Sequence, residues 1–90
     1  MNTIPNLDAM TSSDLMAFWI KYRRPARKDA LELIGDKREG YTTLCGSLAG
    51  YASNKATAMV CREKGDIQAA GIYEHICESI YSELPEDLKW

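Results

Sequence analysis

One histidine and one carboxylate have a spacing that could support metal chemistry. His75 is followed three residues later by Glu78, and on a helix these two side chains would share a face. An imidazole and a carboxylate placed in this way can contribute to a metal site inside a helical bundle. A divalent site needs more than two protein ligands, and the sequence has no second motif of this kind, Glu-x-x-His, to supply them. We therefore interpret the two residues as a solvent-exposed pair and predict neither a metal nor a cofactor.

The three cysteines, Cys45, Cys61 and Cys77, are the other reactive side chains. Two basic residues follow Cys61 within three positions and could lower its pKa, but no base stands at a spacing that would activate it. If the chain folds back near residue 65, Cys61 and Cys77 lie about 10 Å apart along the helix axis, too far for a disulfide. We interpret all three as buried reduced thiols; an intermolecular disulfide or a metal site is the alternative.

Other catalytic signatures are missing from the sequence. It contains no glycine-rich phosphate loop, no nucleophile elbow and no Cys-x-x-Cys spacing. The sequence therefore predicts a protein that is not an enzyme.

Positive charge is concentrated in one short segment. Residues 21–28 carry five cations and no acid, which is +5 in a chain whose net charge is −2. Lys21, Arg23 and Arg24 could complement a helix C-terminus and keep the surface soluble. Alternatively, the segment could contact phosphates with an interleaved tyrosine as a stacking group, or dock an acidic protein. The sequence pI of about 5.3 argues against a dedicated nucleic-acid binder. The candidate nucleic-acid residues are Lys21, Arg23, Arg24, Arg27 and Lys28.

Aromatic and apolar residues could instead form a protein contact. Tyr73 and Tyr81 stand two helical turns apart and are either core aromatics or anchors for a partner helix. Leu88 and Trp90 follow a helix stop in a tail that either folds back or docks on another subunit. We favour docking, because a free tryptophan would expose much apolar surface. With Trp19, which lies in a helix of wide apolar coverage, these are the predicted partner-binding residues.

The positioning elements are clearest between residues 41 and 85. Gly65 can end one helix in the left-handed conformation, and Asp66 can cap the next. So short a break joins near-antiparallel neighbours, and Pro85 stops the second helix. Apolar residues recur at spacings of three and four in both helices, with the helical period. On the second helix they are Ala69, Ala70, Tyr73, Ile76, Cys77, Ile80, Tyr81 and Leu84.

Two glycines stand inside the first of these helices. Gly46 and Gly50 each cost about 1 kcal/mol relative to alanine in a helix interior. Either close packing of a partner helix recovers that cost, or the helix begins after Gly50. Thr42 or Thr43 is the predicted cap at its start.

The N-terminal part of the chain is less regular. Residues 1–10 are predicted to be loose and residues 11–40 to form short helices. Thr11 can cap the first of these, and Pro25 ends it and can open the second at its first position. Gly35 closes the second. Its predicted buried residues are Ala30, Leu31 and Ile34.

Length and composition set broader limits. Ninety residues indicate one domain over 1–90, and 46% hydrophobic with 27% charged residues is typical of a folded chain. No apolar run approaches the ~20 residues of a membrane span, and residues 1–10 lack the blocks of a signal peptide. We expect a cytoplasmic protein without membrane contact. Because a chain of this length can form only a small core, we expect it to self-associate and so bury more surface.

Two resemblances concern the C-terminal half. Ala58, Gly65-Asp66, Ala70, Cys77 and Pro85 follow the small, turn and proline positions of a tetratricopeptide-type helix pair, so residues 54–85 resemble one such unit. A single unit implies a helical hairpin without the concave groove of an array. The Asn-Lys-x-Thr-Ala-Met string at 54–59 and the segments after it resemble short bacteriophage-type proteins. That resemblance implies a bacterial or phage setting and no activity.

The sequence thus predicts an all-α fold, a small bundle of about four helices whose last two form a long antiparallel hairpin over 41–85, followed by a tail over 86–90. The predicted function is a non-enzymatic protein-interaction module or adaptor that self-associates. The alternative is a nucleic-acid-associated accessory protein that uses residues 21–28.

Overall fold

The all-α prediction is confirmed. A computed structural model describes residues 4–90, which contain four α-helices and no strand. Short 3₁₀ turns at Leu7–Ala9 and Glu86–Leu88 precede and follow the helices. The α-helices are α1 (Ser12–Tyr22), α2 (Arg27–Ile34), α3 (Tyr41–Glu63) and α4 (Ile67–Glu83). Within this range no helix is long and apolar enough to cross a membrane.

The α3–α4 hairpin forms as its sequence predicts. Gly65 has φ +80°, a left-handed conformation that a side chain would strain. The Asp66 carboxylate accepts a hydrogen bond of 3.1 Å from the backbone N–H of Ala69 and caps α4. Across the hairpin, Cys77 Sγ donates to the Tyr51 carbonyl at 3.6 Å. A residue i on α3 therefore lies level with about residue 130−i on α4, since the two helices turn at Gly65 and rise equally.

α3 is the central helix, and α1, α2 and α4 each pack against it. Tyr51 and Arg62 of α3 face α4, whereas Ala56 faces α1. Because a helix turns about 100° per residue, the direction in which Ala56 points from the α3 axis differs by about 130° from the directions of Tyr51 and Arg62. α1 and α4 thus flank α3 on different sides, and α1 is antiparallel to α3, since Cys45 Sγ donates to the Tyr22 carbonyl at 3.8 Å.

The prediction of a loose segment over residues 1–10 is wrong for the described part, 4–10. Ile4 is 6% exposed and Leu7 is fully buried, and both belong to the core. Asn6 caps the 3₁₀ turn by accepting from the Asp8 N–H at 3.0 Å. Burying these two apolar side chains removes their surface from water and enlarges a core that is small in a chain of this length. Residues 1–3 lie outside the described residues.

α2 differs from its predicted form in two ways. Its cap is Ala26, in an extended conformation, so Pro25 lies before the helix and not at its first position. Leu33, at 6% exposure, is buried, while Leu31 is 38% exposed. Ala30, Leu33 and Ile34 are spaced by three and four and form the buried side, from which Leu31 points away. Gly35 ends α2 in the left-handed conformation, as predicted.

The glycines of α3 do not mark a close approach within the chain. The helix begins at Tyr41, where the predicted hairpin starts, and runs through both glycines. Its cap is Gly40, so the prediction of Thr42 or Thr43 as the cap is wrong, and so is the alternative start after Gly50. A Cβ atom added to Gly46 would have no neighbour within 4 Å, and one added to Gly50 would meet Ile80 at an ordinary 3.9 Å. Within residues 4–90 the space beside Gly46 is therefore left open, whereas the space beside Gly50 is bordered by Ile80 of α4.

Candidate functional site

One face of the three-helix layer carries most of the exposed large apolar side chains. Met16 and Ile20 of α1 are 37% and 58% exposed, Val60 of α3 is 38% exposed, and Ile72 and Ile76 of α4 are 60% and 37% exposed. On the opposite face, segment 4–10, α2 and the tail 86–90 supply buried side chains to the core. The layer is thus covered on one side only.

We call the uncovered side the open face. Its floor is a stripe of α3 residues spaced by three and four, which therefore share one side of the helix. Its walls are the adjacent sides of α1 and α4. The open face consists of Met16, Trp19, Ile20 and Arg23 on α1, Gly46, Gly50, Ser53, Thr57 and Val60 on α3, and Ile72, Tyr73, Ile76, Ile80 and Glu83 on α4.

A groove runs between α1 and α3 on this face. Near the hairpin end it opens into a recess of about 500 Å³ that is lined by Ser12, Ser13, Met16, Ala56, Thr57 and Val60. Serine, alanine and threonine side chains are short, so the floor of the recess lies deep relative to Met16. A branched apolar side chain from outside could therefore enter it.

A ridge stands beside the groove on α4. Ile72 and Ile76 are one turn apart and project from the open face, and Ile80, one turn further, packs towards Gly50. Ridges formed by residues spaced by four fit between the rows of side chains of a facing helix. The open face therefore has both a groove and a ridge of the kind that helices use to pack.

The open face is uncharged in its middle and charged at one end. Arg23, the C-cap of α1, lies over the Trp19 ring with its guanidinium carbon 4.5 Å from the ring centroid. Glu83 ends α4 at the same end of the bundle. This arrangement leaves an apolar centre with a cation on one wall and an anion on the other.

The structure separates the predicted partner-binding residues into two groups. Trp19 and Tyr73 are half-buried and border the open face. Tyr81, Leu88 and Trp90 lie on the covered side, where Leu88 is 2% exposed. Leu88 is therefore closed to a partner while the tail is folded. Tyr81 and Trp90 are half-buried, and their partner-binding role stays a prediction.

The tail packs on its own chain. The Trp90 ring makes edge-to-face contacts with Tyr51 and Tyr81, both with centroids 4.7 Å apart. The Tyr81 hydroxyl donates to the Trp90 carbonyl at 2.7 Å, and Trp90 Nε1 donates to Asp8 at 2.9 Å. Because these partners come from segment 4–10, α3 and α4, the tail ties three parts of the chain together.

Asp8 is the polar centre of this contact. Its carboxylate also accepts from the Tyr51 hydroxyl at 2.6 Å and lies 3.4 Å from Lys55 Nζ. Partial burial opposes ionisation of Asp8, but the hydrogen bonds from Tyr51 and Trp90 and the charge of Lys55 together lower its pKa. Burial and the bond to Asp8 raise the pKa of Tyr51, which stays a neutral donor.

The five basic residues are all exposed but do not form one patch. Arg23 lies on the open face, whereas Lys21 lines a cleft of about 700 Å³ on the covered side, together with Asp14 and Glu32. Arg24, Arg27 and Lys28 form no ion pair within residues 4–90. Arg27 and Lys28 lie in the first turn of α2. A favourable interaction with a helix C-terminus is therefore open only to the cations at the end of α1.

The histidine and the cysteines differ in their exposure to solvent. His75 and Glu78 form the solvent-exposed pair that the sequence predicts: both side chains are 80% exposed, and His75 Nδ1 lies 3.9 Å from Glu78 Oε2. Burial raises the pKa of Cys45 and of Cys77 to about 11, so both are protonated thiols at neutral pH. Cys61 is free and half-buried. Within residues 4–90, no group of three or more His, Cys, Asp or Glu side chains could hold a metal ion.

Sequence reasoning misses most of the open face. It places Ile76 on the buried stripe of α4, and it does not single out Met16, Ile20, Val60 or Ile72 as binding residues. A signal is nevertheless present: the apolar residues of α4 span an arc wider than one neighbouring helix can cover. Such an arc indicates a second contact on another side of the helix.

No match is found among protein-family models, curated proteins or solved structures. The resemblances drawn from residues 54–85 therefore stay predictions.

Proposed function

We propose that this chain is a non-enzymatic protein-interaction module that binds its partner through the open face. The observation that carries the proposal is the one-sided covering of the layer. Segment 4–10, α2 and the tail bury the apolar residues of one face, while Met16, Ile20, Val60, Ile72 and Ile76 stay 37–60% exposed on the other. A contiguous apolar surface of this kind on a small protein is typical of an interaction site.

The floor of the open face supports the same proposal. Gly46 and Gly50 each cost about 1 kcal/mol in an isolated helix, and no side chain among residues 4–90 fills the space above Gly46. A partner that approaches the α3 backbone closely would use that space. The cost of the glycines is then offset in the complex and not in the free chain.

A photo-crosslinking amino acid at position 76 is expected to form adducts in cells, because Ile76 lies in the middle of the proposed contact. The matched control is position 67. Ile67 is also on α4 and is 56% exposed, but it lies outside the open face. Adduct yield at 76 is expected to exceed that at 67 several-fold, as read on denaturing gels.

A second variant makes this test specific for the open face. With the crosslinker at 76, Ile72→Glu should remove most of the adduct, because it places a charge in an apolar contact. Equal adduct yields at 76 and 67, or yields at 76 that Ile72→Glu leaves unchanged, would contradict the proposed function.

One observation favours a second candidate, a nucleic-acid accessory protein. Arg27 and Lys28 lie in the first turn of α2, where positive charge is unfavourable for the helix and an anion would be favourable. The cap residue Ala26 offers no side-chain oxygen to the free N–H groups there. Arg24 is unpaired close by in sequence, so three cations are available to phosphates.

If this candidate is right, replacing Arg24, Arg27 and Lys28 together with glutamine should weaken the binding of single-stranded oligonucleotides, whatever their sequence. The slope of log K against log salt concentration should fall by about 0.7 for each phosphate that the protein no longer neutralises. Fluorescence anisotropy over a salt series measures both quantities. A slope identical to that of the unmodified chain would remove this candidate and leave the open face unaffected.

A further inference from the structure

We propose that the partner on the open face is a second copy of this chain. In the proposed dimer, α4 of each copy lies in the α1–α3 groove of the other, about a two-fold axis parallel to the helices. This inference rests on the proposed function, since it identifies the partner of that same surface. Rotation about such an axis does not shift any residue along the bundle. A ridge residue of one copy can therefore contact only those groove residues of the other copy that lie at the same height.

The apolar residues match in this way. Because residue i of α3 is level with about residue 130−i of α4, Ile72 is level with residue 58 and Ile76 with residue 54. The recess beside α1 is lined on α3 by Ala56, Thr57 and Val60. In the dimer, Ile72 of one copy therefore reaches the recess of the other, and Ile76 lies one turn away over Ser53 and Thr57.

The charged ends match as well. Glu83 is level with about residue 47 of α3. Arg23 follows Tyr22, whose carbonyl is hydrogen-bonded by Cys45, so Arg23 is also level with the start of α3. When α4 lies in the partner's groove, its Glu83 comes beside the partner's Arg23. Two such pairs form in a two-fold dimer, one at each side of the axis.

The bundle is large enough for a standard interface on this side. It measures 42 × 23 × 20 Å, so its long side can hold a contact of the ~800 Å² that each partner buries in a standard interface. An unrelated partner would need only a ridge or only a groove from this chain. The presence of both, at matching heights and with opposite charges at the same end, favours a copy of the chain itself.

The test is sedimentation equilibrium of the purified chain, with charge exchange at the proposed pair. The unmodified chain is expected to dimerise in the micromolar range. Arg23→Glu and Glu83→Arg should each weaken the dimer about threefold to tenfold at low salt, because like charges then meet. The double variant should return to within about twofold of the unmodified chain, since coupled sites are not additive.

Arg24→Glu is the matched control. Arg24 follows Arg23 and is also exposed, but it is not among the residues of the open face, so its reversal should leave dimerisation unchanged. Circular dichroism and thermal unfolding check that each variant keeps its helices. All the reversed residues are exposed. Arg23→Glu also removes the contact between the guanidinium and the Trp19 ring, which is a weak interaction at an exposed arginine, so folding is expected to be retained.

Two results would overturn the inference. A folded chain that stays monomeric at about a hundred times the expected dissociation constant has no second copy as its partner. If the dissociation constants of Arg23→Glu and Glu83→Arg are the same as that of Arg24→Glu, the dimer does not use the proposed pairing. Crosslinking at position 76 separates these results from the proposed function: an adduct heavier than two chains supports the open face as an interaction surface and identifies a different partner.

Discussion

Replacing Trp90 with alanine is expected to lower the free energy of unfolding by about 3 kcal/mol, the lower end of the range for a packed Trp→Ala change. The variant loses the edge-to-face packing against Tyr51 and Tyr81 and the hydrogen bond to Asp8. Urea denaturation followed by circular dichroism measures this decrease. Because all three partners belong to the same chain, the decrease should be the same at low and at high protein concentration.

That independence of concentration separates a tail folded on its own chain from a tail docked on another subunit. A docked tail would stabilise the protein only where the subunits associate, by mass action. Ile67→Ala is the control, since it removes a large side chain that is 56% exposed and should change stability by no more than about 0.5 kcal/mol. A decrease for Trp90→Ala that appears only at high protein concentration would contradict the folded tail.

Leu7→Ala is expected to cost about 2–5 kcal/mol, as for a fully buried leucine. Leu7 has no exposed surface and lies in the core, and Ile4, three residues earlier in the sequence, is also buried there. Truncating its side chain leaves a cavity under the segment that covers α3. The same denaturation experiment measures the cost.

Leu31→Ala provides the matched control for Leu7→Ala. It is the same chemical change at a residue that is 38% exposed, so its cost should be well under half as large. If both substitutions had the same small effect, segment 4–10 would be loose, as its sequence predicts, and α3 would have to be covered by something else.

These predictions have a common consequence for the binding surface. The covered side of the layer is held by contacts between segment 4–10, the tail and the α3–α4 hairpin, so its buried side chains contribute to the fold. The open face has no covering within residues 4–90 and includes Trp19 and Tyr73 at its borders. Substitutions on the covered side should therefore change stability, and substitutions of exposed open-face residues should change association with little effect on folding.

Arg38 adds a further tie on the covered side. Its guanidinium donates to Asp36 at 2.6 Å and to Asp87 at 3.0 Å and 2.6 Å. These hydrogen bonds lower the pKa of both carboxyl groups. The loop before α3 and the tail are thus joined at the surface, and the tail is held on two sides.

The sequence by itself determined the elements with local causes. Gly65 ends α3 because it adopts φ +80° without strain, and Asp66 caps α4 because its carboxylate reaches a free N–H group of the first turn. Thr11 caps α1 in the same way, by accepting from Asp14 at 3.1 Å. These interactions span three residues or fewer, so their residue types and spacing are visible in the sequence.

Only the tertiary structure decided which apolar residues are covered. Ile76 and Cys77 are neighbours on the apolar arc of α4, yet Ile76 is 37% exposed and Cys77 is 3% exposed. The difference depends on where α1, segment 4–10 and the tail lie around α3, and those contacts join residues as far apart as Asp8 and Trp90. Periodicity reports that a helix has an apolar side, but it does not report how much of that side the rest of the chain covers, because coverage depends on the packing of distant segments.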